Sequence, residues 1–356
     1  MLLINLIVAI LLERFFPSPF ISVVESMSSL LALVREKMDV GEKIPAIISW
    51  IGVIAIVALL VWLIWFLLGF IHPILSIIFS IIILYLSLGF SNFINRFNSI
   101  QLCLSDGKLV EARQHLLDWA EFVGADPVVF STAKSGDSSA ITRETIRLAI
   151  LAAQRNLFGV VFWYLILPGP IGPIVYRVSL QAMKDWNKTN ETQVEVVADE
   201  ESISSREDSS RKAEESPDPK PEDFFSETAK RGFFWVDWVS CRVTAFVFAI
   251  VGNFEDTVQM IRARSSLITK QVYDSERIIL SAGEGALTMR LTIPIASSES
   301  QDYENLRSVN YNQTPELKEV DENSLKVVEG LIWRSLFLWI FFLVLITLGY
   351  LSNLIV

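Results

Sequence analysis

Six polar side chains border or interrupt apolar stretches of this chain: Arg155, Asn156, Tyr176, Arg177, Asp237 and Arg242. A charge at bilayer depth is costly, so it pairs, faces a cavity or serves a function. The first four bracket residues 156–176, an uncharged stretch broken by Pro168, Gly169, Pro170, Gly172 and Pro173. Asp237 and Arg242 interrupt a second apolar run, Gly232 to Phe254. Gathered around one site, guanidinium, amide, phenol and carboxylate groups can hold a polar ligand, and a well-placed acid or base can move a proton. Two plainer readings stay open. Arg155 and Arg177 flank an apolar stretch and would serve equally as headgroup anchors. Asp237 and Arg242 would serve equally as a structural pair, although residues five apart share a helix face poorly.

Other motifs carry less. Ser131-Thr132-Ala133-Lys134 has the SxxK spacing of serine acyl-transfer enzymes, but the companion KTG and SDN motifs are missing, and we read it as chance. GxSxG, GxGxxG and P-loop patterns are absent. Cys103, Cys241, His72 and His115 are scattered without metal-ligand spacing, so no metal site and no cofactor is expected. Net charge is −10, which disfavours nucleic acid as a partner. Thirteen acids and six bases between Thr189 and Arg231 contribute −7 of that charge.

The elements that must position these groups are membrane helices. Not one Asp, Glu, Lys or Arg occurs from Ile44 to Asn95, or from Ser335 to Val356. A hydrocarbon core of about 30 Å needs about 20 apolar residues in a helix, so the first run holds two spans and the second one. His72-Pro73 divides the first run into a hairpin with a short tip, because proline suits a helix start. Lys43 and Arg96 therefore lie on one side, assigned to the inside by the retention of positive charge there. Trp50, Trp163, Trp235 and Trp238 read as interface anchors.

The resulting expectation is an all-α integral membrane protein with a bilayer-bound hairpin, a Pro/Gly-broken membrane segment, a C-terminal span and helical cytoplasmic segments. Residues 1–43 form a membrane-associated helix and an amphipathic segment. The hairpin is 44–95, a helical cytoplasmic segment is 96–155, and the broken membrane segment is 156–186. Residues 187–231 are an acidic, Ser/Glu/Pro-rich linker too polar to fold. An apolar segment and polar helical region fill 232–329, and 330–356 is the last span. With Arg334 inside, either 156–176 and 232–254 both cross the membrane or neither does.

Four segments in order carry a resemblance: LIVAILLERFF at the N-terminus, QRNLFGVVFWYLILPGPIGPIVY at 154–176, FFWVDWVSCRVTAFVFAIVG at 233–252 and GEGALTMRL at 283–291. Together they resemble the AmpE family, within the wider superfamily of CobD/CbiB adenosylcobinamide-phosphate synthases. AmpE proteins imply a bacterial inner-membrane regulator tied to β-lactamase induction and peptidoglycan recycling, with a recycling amidase or a muropeptide as partner. The synthases imply amide formation on a corrinoid carboxyl in cobalamin biosynthesis. This chain departs from the synthase pattern A-E-N-x-x-D-G-V-V, having Gln154, Arg155 and Phe158 at the Glu, Asn and Asp. It departs from Y-K-A-x-N-T-L-D-S-M, having Arg177 and Leu180 at the Lys and the Asn. Asp to Phe removes charge and hydrogen bonding, and arginine gives up its proton far less readily than lysine. The resemblance thus implies a shared fold with synthase chemistry lost, and no catalytic residue is assigned. The alternative, a working synthase, would rest on Glu144, Asp185 or Glu284. An unrelated transporter is disfavoured because no internal repeat is present.

Overall fold

The computed structural model describes residues 2–16, 20–125, 127–204, 223–265, 275–291, 316–321 and 323–355. Among them the chain is helical, with a single isolated parallel bridge between Met289 and Lys318. Five helical stretches are long and apolar enough to cross a membrane: Lys43–Ile71, Pro73–Ser105, Ser138–Ile166, Phe224–Val251 and Ser324–Gly349. This is a multi-pass, all-α membrane protein.

The hairpin is as expected from the sequence. α1 (Leu2–Phe15) and α2 (Phe20–Met38) precede α3 (Lys43–Ile71). α3 turns at His72 into α4 (Pro73–Ser87), and the His72 ring accepts a hydrogen bond from Ile74 N. α3 turns Ile56, Leu59, Leu60, Phe66 and Phe70 outward. So large an exposed apolar face needs lipid around it. α1, 14 residues and about 21 Å long, is too short to cross alone. It lies against α4, with Leu6 and Ala9 in the core.

α4 stops at Leu88-Gly89 and α5 (Phe90–Ser105) continues the rod. α6 (Leu109–Val123) and α7 (Pro127–Ser135) follow. α8 (Ser138–Ala153) starts on Asp137, whose carboxylate accepts from Ala140 N at 2.8 Å and is held below its usual range by that bond. Here the structure differs from the expected boundary at 155. α8, a π-helical turn (Gln154–Phe158) and α9 (Gly159–Ile166) form one continuous stretch, so the apolar rod begins inside the segment read as cytoplasmic.

The proline-glycine segment resolves into a tight reversal. α9 ends at Ile166 and α10 (Ile171–Ser204) packs back along it. The approach is close enough to require glycine. A Cβ on Gly172 would fall 2.0 Å from Trp163 O, and one on Gly159 would fall 2.3 Å from the Tyr176 phenol. Gly169, at φ +64, makes the turn beside the Trp65 ring. Residues 156–176 therefore hold the end of one helix and the start of the next, joined by this reversal.

The linker expectation also changes. α10 stays helical to Ser204, and α11 (Phe224–Val251) begins eight residues before the expected Gly232. Residues 205–222 lie outside the described residues. Arg35 of α2 links the middle of α10 to the start of α11, donating to Trp186 O at 2.6 Å and to the Asp223 carboxylate at 2.7 Å. Trp186 and Phe225 stack edge-on in a cluster shared with Ala46 of α3. α10 at Trp186 and the start of α11 are thus held together beside α2 and α3.

α12 (Phe254–Ser265) and α13 (Ser275–Leu287) pack closely, Gly285 lying against the Thr257 backbone. α14 (Ser324–Ile355) closes the bundle with Trp333 on Phe90 and Trp339 on Phe162. The far end of α11 returns to this region, Arg334 donating to Val251 O at 3.4 Å.

Two predictions follow from this packing. Gly172→Ala lowers the unfolding midpoint of the detergent-purified protein, at a cost of about 1–3 kcal/mol. Gly52→Ala, with nothing within 4 Å, does not. An unchanged midpoint for Gly172→Ala would refute the close approach. Second, α11 is one of the five helices long and apolar enough to cross a membrane. If it crosses, cysteines placed at Asp223 and at Asn253 should react with an impermeant thiol reagent from opposite faces, and only one of them from the face that labels a cysteine placed at Gly41. Labelling of both α11 ends from one face would refute a crossing.

Candidate functional site

The π-helical turn lies where α8 meets α9, and it points polar groups into the bundle. The extra residue is visible in its bonding, with Gly159 N–H donating to Gln154 O five residues back. Such bulges recur at functional sites because they re-aim side chains within a helix. Three consecutive residues leave it in different directions.

Gln154 is buried and donates through Nε2 to Asp237 Oδ1 at 2.9 Å and to Ser240 Oγ at 3.1 Å. The same Oδ1 receives Tyr176 OH at 3.0 Å and Ser240 Oγ at 2.7 Å. Asp237 is 4% exposed, so this buried carboxylate is held by three protein donors from α10, α11 and the π turn. Oriented donors are what make a buried charge tolerable.

Arg155 takes another course. It forms an ion pair with Glu276 at the start of α13, while its charge also acts on Asp237 and Tyr176. Asn156 turns towards α10, where its Oδ1 accepts from Arg177 Nη1 at 3.0 Å. Arg177 also donates through Nε to Ser87 O, and the Phe20 ring lies 4.7 Å from its guanidinium carbon. Asn156 O accepts from Gly89 N at 3.4 Å. Across the same break, Glu13 of α1 accepts from Ser91 N at 3.0 Å.

The six sequence-derived residues divide accordingly. Arg155, Tyr176 and Asp237 meet in one cluster. Asn156 and Arg177 meet in an adjoining one at the Leu88-Gly89 break. Arg242 joins neither: it stacks over Trp238 at 3.8 Å and donates to Trp238 O. Five residues turn a helix by about 140° beyond a full revolution, so Arg242 and Asp237 point apart. Arg242 therefore does not pair with Asp237.

Other participants escaped the sequence reading. Ser240 stands three residues after Asp237 and was legible as a helical neighbour. Glu276 lies 121 residues from Arg155 and Glu13 lies 78 residues from Ser91, so no local pattern reveals them. Glu144, Asp185 and Glu284 have structural partners. Glu144 meets Arg147 at 2.8 Å, Asp185 accepts from Gln181, and Glu284 accepts from Leu291 N at 2.8 Å. Gly283 packs against Ile150. The GEGALTMRL stretch is thus a packing and closing element of α13. Among the described residues no cluster of His, Cys, Asp and Glu could hold a metal. The SxxK residues lie on the short helix α7, away from both clusters.

Against curated proteins, 119 residues of this chain are 26% identical to "Cobalamin biosynthesis protein CobD" of Chromobacterium violaceum. The match covers 33% of this chain and 35% of that protein, so it spans about a third of the relative's length. It supports a CobD-type relationship. No protein-family profile matches the chain, and no solved structure matches it.

Removing the carboxylate should expose how much the cluster depends on it. Asp237→Ala leaves three buried donors without their acceptor, each costing about 1–3 kcal/mol. Tyr176→Phe should cost only about 1 kcal/mol. Denaturant unfolding in detergent measures both. Equal midpoints for wild type and Asp237→Ala would refute the network.

Proposed function

We propose that this chain is a regulatory inner-membrane protein of the AmpE kind, built on a CobD/CbiB-type helical frame and without synthase activity. The observation that carries the reading is that most polar groups of the cluster are taken up by protein partners, Gln154 Oε1 and Arg177 Nη2 excepted. Asp237 holds Gln154, Tyr176 and Ser240, Arg155 is neutralised by Glu276, and Arg177 is committed to Ser87 O and Asn156. Amide formation on an activated carboxyl needs an acid or base able to exchange protons with the substrate. Groups already committed to one another serve that purpose poorly.

The departures from the synthase pattern support the same reading. Phe158, at the position of the synthase Asp, is fully buried and packs edge-on against Phe248 at 5.8 Å. Gln154, at the position of the Glu, acts as a donor to Asp237. A glutamate there would set two carboxylates side by side. In this reading the partner is a muropeptide or a cell-wall-recycling amidase, and the side bearing Lys43 faces the cytoplasm.

A second reading, a working adenosylcobinamide-phosphate synthase, is favoured by the likeness to a cobalamin biosynthesis protein. One pair of experiments separates them. A host lacking its synthase, given this chain and shown to carry it in the membrane, should fail to grow under cobalamin-dependent conditions. Deleting the gene in its own host should change β-lactamase induction by severalfold, and Arg155→Ala with Arg177→Ala should not restore it. Cobalamin-dependent growth would overturn the proposal in favour of the synthase.

A further inference from the structure

Near the start of α8, away from both polar clusters, one carboxylate is shared by two arginines. Glu319 Oε2 accepts from Arg143 Nη2 at 3.3 Å, and Glu319 Oε1 accepts from Arg290 Nη1 at 3.2 Å. Arg143 lies on α8, and Arg290 lies just beyond the end of α13. Glu319 belongs to the short segment 316–321, which is fixed by its backbone. Arg290 N donates to Lys318 O at 2.9 Å, and Lys318 N donates to Thr288 O at 3.0 Å. On the other side of Glu319, Val320 is buried in the core. The chain is thus held before and after Glu319, while the Glu319 side chain itself is 64% exposed.

The charges here do not balance. One carboxylate answers two guanidiniums, and the neighbouring Arg147 is already matched by Glu144 at 2.8 Å. Both contacts to Glu319 are longer than the roughly 2.7–2.9 Å of a strong charge-assisted bond. A guanidinium carries several donors in a planar fork, and each arginine spends little of that fork on Glu319. The Nε of Arg143 has no partner among the described residues. Arg290 has a side chain 45% exposed, so the pair can be reached from outside the protein.

We propose that Arg143 and Arg290 form a binding site for a phosphate monoester dianion, and that the Glu319 carboxylate is its internal occupant. The ligand takes the space that the carboxylate now fills, so no further cavity is required. Glu319 swings into solvent while Lys318 and Val320 stay in place. A dianion matches both positive charges, and its oxygens suit the arginine fork, which binds phosphate through paired donors. Partly exposed ion pairs contribute little to stability, so the exchange costs little. Arg143 stands towards the Ser138 end of a stretch long enough to cross a membrane, where a dissolved phosphate monoester and a lipid phosphate headgroup are both within reach. None of the residues of the two polar clusters takes part, so the site stands apart from the regulatory reading.

The test is calorimetric titration of inorganic phosphate into the full chain, held in phosphatidylcholine nanodiscs at fixed ionic strength. Glu319→Gln removes the internal occupant and should tighten phosphate by about threefold to tenfold, the worth of two partly exposed ion pairs. Glu316→Gln, at an exposed acid on the same segment, makes the same change in net charge and should leave the affinity as it was. Arg290→Gln, combined with Glu319→Gln, should abolish binding. A second arm adds phosphatidic acid, whose headgroup is a phosphate monoester, to the nanodiscs and follows its retention by native mass spectrometry. Retention that rises in Glu319→Gln and resists dissolved phosphate would assign the site to a lipid, whereas displacement by dissolved phosphate would assign it to a soluble ligand. Failure of Glu319→Gln to bind either probe would overturn the proposal, as would equal tightening by Glu316→Gln. That comparison changes exposed side chains only, so it decides the matter even where the arginine variant does not fold.

Discussion

A broken helix inside a bilayer must have its freed backbone groups satisfied by protein, since lipid offers no hydrogen bonds and each unsatisfied group costs several kcal/mol. The break at Leu88-Gly89 shows how this fold meets that demand. Ser87 O accepts from Arg177, Gly89 N donates to Asn156 O, and Ser91 N donates to Glu13. Three elements distant in sequence (α1, the π turn and α10) are therefore pinned to one turn of chain. The π turn, the reversal at Pro168–Pro170 and the position of α1 all have to be compatible with those contacts. Much of the architecture around α4 and α5 depends on this one junction.

The second cluster depends on the same geometry. Gln154 and Asn156 sit two residues apart on the π turn, so the turn that feeds Asn156 to the break also feeds Gln154 to Asp237. Tyr176 and Arg177 are adjacent on α10 and repeat the division, one to each cluster. Glycine makes this possible, since a side chain at 159 would collide with the Tyr176 ring. Small residues let backbones approach closely in membranes, where packing rather than water exclusion drives association.

What the sequence revealed and what it hid follow from the range of the interactions. Uncharged runs are local, and they announced the hairpin and the last span. The prolines announced a break and left open whether it is a kink or a reversal. Asp237 stood out because a charge in an apolar run is conspicuous. Its partners are not local: Gln154 is 83 residues away and Tyr176 is 61. Arg242 was equally conspicuous, but an arginine can bury its stem against an aromatic ring and keep its charge near the rim. Its stack on Trp238 is that arrangement. The acidic segment misled at its edges, where composition favoured disorder while α10 carried the helix on to Ser204.

Arginine at 177 also bears on function. Its guanidinium serves a carbonyl, an amide oxygen and an aromatic face at once. Lysine, a compact point charge, cannot meet three partners in fixed directions. A lysine there would release the Ser87 carbonyl or the Asn156 amide, and it would be freer to give up its proton when buried. Suitability for holding the break and suitability for proton transfer therefore pull this position in opposite directions. The chain carries the residue suited to holding the break. Rigid, directional contacts at this position thus favour architecture over proton exchange.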